Sequence, residues 1–114
     1  MHTTRIGLAS LIALLASACA ADSDKINSNL ECAASISAVS QLAVKGELDT
    51  DAEFQSKSLY SLMTHLNKYA IPNGLREAEA FEQVNTLRDS MMETQTPSKL
   101  LNRAKSCIRK TPVR

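Results

Sequence analysis

Two cysteines, Cys32 and Cys107, stand roughly 75 residues apart near the two ends of the helix-forming part of this chain. No spacing between its cysteines resembles Cys-x-x-Cys, the arrangement that lowers a thiol's pKa for redox work. In an exported protein, two such residues are expected to pair and close the fold. Closing a loop of that length removes enough freedom from the unfolded chain to stabilise the native state by roughly 4 to 5 kcal/mol, comparable with the whole stability of a small domain. The pairing therefore depends on whether the chain is exported.

The N-terminus answers that question. Arg5 and the free amino group form a basic start, Ile6 to Leu15 is an apolar stretch broken only by Gly7 and Ser10, and small residues run from Ala16 to Ala21. Basic, apolar and small segments in that order make a secretory signal peptide, and the apolar run is too short for a permanent membrane span. The expected organisation is a signal peptide over 1–20, a flexible segment over 21–28, a helical domain over 29–110 and a tail over 111–114. Ala18-Cys19-Ala20 suits ordinary cleavage before Ala21. Cys19 also sits in a lipoprotein-like box, Leu15-Ala16-Ser17-Ala18-Cys19, although such boxes usually carry Leu three positions before the cysteine and here Ala16 stands there. Acylation of Cys19 is the alternative outcome, and it is the one route to membrane attachment.

Beyond residue 28 apolar positions recur every three or four residues, with breakers between the runs, which predicts an all-α domain of four helices. Ser28 and Glu31 have capping-box spacing and are expected to open the first helix, over 29–45, with Cys32, Ile36, Val39 and Ala43 inward and Gly46 ending it. Thr50 and Glu53 form a second such box. The second helix carries Phe54, Leu59, Leu62, Leu66 and Tyr69 and stops before Pro72-Asn73-Gly74. Ala80, Val84, Leu87 and Met91 mark the third helix, which is expected to end near Glu93. Thr96-Pro97 starts the fourth, with Leu100, Leu101, Ala104, Cys107 and Ile108 on one side. An up-down-up-down bundle of these helices places Cys32 and Cys107 at the same end, so pattern and chemistry predict the same bridge.

Few residues in the mature part carry chemistry. His65 is its one histidine and is expected on a solvated edge of the second helix, with Ser61 and Tyr69 one turn away on the same face. No metal-ligand cluster, phosphate-binding glycine loop, nucleophile elbow or haem-attachment motif is present, and no cofactor is expected. Met63 and Met91 read as core filling and Met92 as exposed. The pattern points away from an enzyme.

Charge is unevenly placed. Residues 22–97 carry twelve acids and six Lys or Arg, whereas 98–114 carry six basic residues and no acid. Lys99, Arg103, Lys105, Arg109 and Lys110 are expected to lie opposite the apolar stripe of the fourth helix, either as a solvated face complementing acidic neighbours or as a dock for an anionic partner. Nucleic acid is excluded as a partner by export and by the overall charge balance. The expectation is a periplasmic, non-enzymatic protein that binds another protein, of the kind represented by chaperones, inhibitors and immunity proteins. An envelope-anchored structural lipoprotein is the alternative.

Overall fold

A computed structural model describes residues 27–112; the segment expected to be a signal peptide, Cys19 and residues 113 and 114 lie outside it. Four helices and no strand are found among the described residues: α1 (27–44), α2 (Ala52–Ala70), α3 (Glu77–Thr94) and α4 (Pro97–Arg109). They form a helical bundle, and Cys32 and Cys107 are joined with their Cα atoms 5.5 Å apart.

Helix α1 is the centre of this bundle. Ala33, Ala34, Ser35, Ile36, Ala38 and Val39 are fully enclosed, so the helix is covered on nearly every side rather than along one stripe. Three alanines and a serine make this feasible, because small side chains let neighbouring helices approach closely. Ser35 donates its hydroxyl to the Glu31 carbonyl at 2.7 Å, and the enclosed polar atom is satisfied within its own helix. Named contacts tie α1 to each of the other helices: Asn29 to His65 of α2, Ser37 to Arg88 of α3, and Cys32 and Glu31 to Cys107 and Arg103 of α4.

The helix ends follow local chemistry, with two departures from expectation. Ser28 lies inside α1, which is already helical at 27, so the proposed first box does not cap. The helix begins two residues earlier than expected, and Asn29 in its first turn meets His65. Asp51, rather than Thr50, caps α2. Its carboxylate accepts from the Phe54 amide at 2.8 Å and meets Lys105 of α4 at 3.0 Å, whereas Thr50 is left to accept from the Gln55 side chain. The Phe54 amide and then Lys105 hold the Asp51 carboxyl below the usual carboxylate range. Gly46 and Gly74 adopt the left-handed conformation at φ 75° and 64°. In each case the amide immediately after the glycine reaches back five residues, from Glu47 to Leu42 and from Leu75 to Ala70, which completes a Schellman ending. Glu79 secures the start of α3 by accepting from the Arg76 amide and guanidinium, and Thr96 caps α4 ahead of Pro97.

On α2 the expected stripe holds at Phe54, Leu66 and Tyr69, with Leu62 partly buried, and fails at Leu59. Leu66 and Tyr69 are buried, but Leu59 is 73% exposed. Ser61 and His65 are buried as well, whereas Leu59, on the same side of α2 as Leu66 but two turns nearer its start, is left uncovered. Met91 is buried as expected, and Met92 is half-buried against the core rather than exposed.

Overpacking α1 with Ala38→Leu is expected to cost about 1 to 3 kcal/mol, while Leu59→Ser stays within about 0.5 kcal/mol of wild type. Urea unfolding of the oxidised domain checks both. Equal losses would contradict the central placement of α1.

Candidate functional site

The polar groups of this domain converge where α4 ends against α2. In an ordinary helix the Cys107 carbonyl would accept from the amide four residues on, but the Thr111 amide turns to Ile108 instead. Cys107 is thus left with a terminal carbonyl in the interior, which needs a partner. His65 supplies it: Nε2 lies 3.0 Å from that oxygen, and the Thr111 hydroxyl donates to the same atom at 3.0 Å. Nδ1 of His65 lies 2.9 Å from Oδ1 of Asn29 on α1, and Thr111 Oγ1 is 2.6 Å from Ser61 Oγ. One imidazole therefore holds α1, α2 and α4 together beside the disulfide.

His65 is only 4% exposed, which overturns the expectation of a solvated edge. Periodicity placed it among polar neighbours; what draws it inward is the unpartnered carbonyl of a helix 42 residues away in sequence. Ser61 joins it as its position on the helix suggested, but through Thr111. Tyr69 does not join, and donates to Gln83 of α3. Asn29 and Thr111 were missed as site residues; no local signal distinguishes them, because their roles depend on which helix ends meet.

Nucleophile, base and orienting amide can be named in sequence as Thr111, His65 and Asn29, but the geometry does not support general-base chemistry. A neutral imidazole carries one proton. The Cys107 carbonyl cannot turn to donate, so it holds that proton on Nε2, the nitrogen that would have to accept from Thr111 at 3.3 Å. Rotation of the Asn29 amide presents its NH2 to Nδ1. The ring acts as a clasp.

A groove of about 610 Å³ opens beside this clasp between α2 and the end of α4, lined by Lys57, Tyr60, Ser61, Ile108, Arg109 and Pro112 among others. A more open depression of about 580 Å³ lies between the start of α1 and α3, with Leu30, Glu79 and Glu82 among its lining residues.

The five cations expected to form one face are divided by the fold. Arg103 pairs with Glu31 and Lys105 with Asp51, both half-exposed bridges between helices. Lys99, Arg109 and Lys110 are exposed, and none has an ion-pair partner among the described residues. Also among those residues, no group of three or more His, Cys, Asp or Glu side chains converges to hold a metal. Comparison with protein-family models, curated proteins and solved structures matched none of them to this chain.

Burial lowers the His65 pKa below its ordinary value; the bond to Cys107 opposes this, and Lys68 and Lys110 reinforce it. A base with a depressed folded-state pKa contributes stability that is present above its unfolded value, about 6.5, and is lost as pH falls toward and through the folded value. Unfolding free energy is therefore expected to fall between about pH 7 and pH 5, with most of that slope absent in His65→Gln. A rise over the same interval would mean that the two acceptor oxygens and the helix terminus favour the imidazolium instead.

Proposed function

We propose that the mature chain is an exported, periplasmic, non-enzymatic protein that works by binding another protein. The observation that carries this reading is the state of His65, the one histidine among the described residues, whose two ring nitrogens are both occupied in holding helices together. The side chain best suited to general-base work is thereby tied into the fold. Cys32 and Cys107 joined within the domain suit an oxidising compartment, and the leader reads as an export signal.

We read the helices as running up-down-up-down. This is supported by the meeting of the first turns of α1 with the last turns of α4 through Cys32–Cys107 and Glu31–Arg103, and with the second half of α2 through Asn29–His65. A clasped, crosslinked bundle of this kind offers a rigid surface, which lowers the ordering cost of association.

Anchorage through acylated Cys19 is the second reading. With Cys32 and Cys107 paired, Cys19 is the remaining cysteine of the chain.

Osmotic-shock fractionation of the native host, followed by photo-crosslinking, tests both. The first reading predicts a shock-released chain beginning at Ala21 and a discrete adduct with a second polypeptide. Membrane retention with label from a fatty-acid probe on Cys19 would replace it with the anchored form. An enzymatic activity abolished by His65→Ala without a change in melting temperature would overturn the non-enzymatic assignment.

A further inference from the structure

The groove between α2 and the end of α4 joins two kinds of surface. Pro112 gives it an exposed apolar wall, to which the 5% exposed Ile108 adds a small patch, with Tyr60 also in the lining, and Lys57 and Arg109 stand with Glu53 among its lining residues. Three of its hydroxyls are committed: Ser56 donates to the Glu53 carbonyl and Thr111 to that of Cys107, so the short contact between Thr111 and Ser61 uses the serine's proton. An entering anion must therefore be recognised mainly by the two cations. Lys57 meets Glu53 at 3.7 Å in a pair more than half exposed on both sides, which holds it weakly. Arg109 has no ion-pair partner among the described residues, and Lys110 follows it.

The division of charge along α4 adds to this. Arg103 and Lys105 are neutralised internally by Glu31 and Asp51, so at this end of the helix the surplus positive charge lies where the groove opens. At about 610 Å³ the groove has the size of a site for a short segment rather than for a folded surface.

We infer that the groove docks an extended acidic segment of a partner polypeptide, seating an apolar side chain against Ile108 and Pro112 and setting carboxylates against Arg109 and Lys57. This rests on the partner-binding reading and gives that partner a chemistry. Charge complementarity sets specificity and encounter rate, while the apolar anchor contributes most of the affinity.

The test is titration of the oxidised, 15N-labelled mature chain with the hexapeptide acetyl-Asp-Glu-Leu-Phe-Asp-Glu-amide. A peptide with lysines replacing the acids, and octanoate, serve as competitors. Amide shifts are expected to cluster at Lys57, Tyr60, Ser61, Arg109 and Thr111. Arg109→Glu is expected to weaken binding about tenfold while keeping the wild-type melting curve, and Lys99→Glu at the far end of α4 to leave it unchanged. Equal losses in the two variants would reduce the effect to diffuse charge and overturn the site. So would equal binding of the lysine peptide, absence of shifts, or displacement by octanoate at concentrations below the peptide's own dissociation constant, which would make a small amphiphile the occupant. A discrete cross-linked partner retained by Arg109→Glu, with no peptide shifts in wild type, would overturn the groove and leave partner binding standing. Clustered shifts without any cross-linked partner would support the groove and sink the partner reading.

Discussion

The Cys32–Cys107 bond is the constraint on which the rest of this small domain depends. It joins the second turn of α1 to the last turn of α4 and so fixes the relative position of two helix ends separated by most of the chain. That fixed position puts the Cys107 carbonyl opposite His65, and His65 in turn brings in Asn29 from α1. The surrounding core is small, and half of the residues that α1 buries are alanine or serine, which lets the helices pack closely but gives those residues little area to bury. A crosslink compensates for that by restricting the unfolded chain.

The same end of the bundle contains much of its buried polarity. Ser61 and His65 lie inside with hydrogen-bond partners, and the carbonyl they surround is a helix terminus that would otherwise be unsatisfied. A polar cluster of this kind specifies one arrangement of helix ends, since a slip of one turn would leave several groups without partners. The acid sensitivity expected of it has the same origin, the burial of His65. The groove outside it shares Ser61 and Thr111 with the clasp, so the proposed docking site rests on the most firmly specified part of the molecule.

Much of the fold was legible in local sequence. The four helices, the Thr96-Pro97 start, the Gly46 ending, the stop before Pro72-Asn73-Gly74 and the cysteine pairing all rest on chemistry within a few residues or on the even count of thiols expected of an exported chain. What was not legible depends on where helices meet. Leu59 and Leu66 are seven residues apart and lie within about 20° of one another around α2, yet one is 73% exposed and the other wholly buried. Periodicity alone treats them as equivalent, because it does not register how far along a helix its neighbours extend. His65 was misplaced for the converse reason: its partners come from α1 and α4. Thr50 and Asp51 are both competent caps, and the choice between them falls to the residue that also meets Lys105. The basic face was visible as a charge run, but its division into paired and unpaired cations required the positions of Glu31 and Asp51.

The central claim is that the bridge between Cys32 and Cys107 stabilises the domain by closing it. Its most direct test is equilibrium urea unfolding of the mature chain, oxidised and reduced, with the Cys32→Ser/Cys107→Ser double variant as a control for chemistry at the sulfurs. The account predicts that reduction and double substitution each lower the unfolding free energy by roughly 4 to 5 kcal/mol, enough to leave a domain of this size largely unfolded near body temperature. An unchanged midpoint after reduction, or two free thiols in protein recovered from its native compartment, would contradict it.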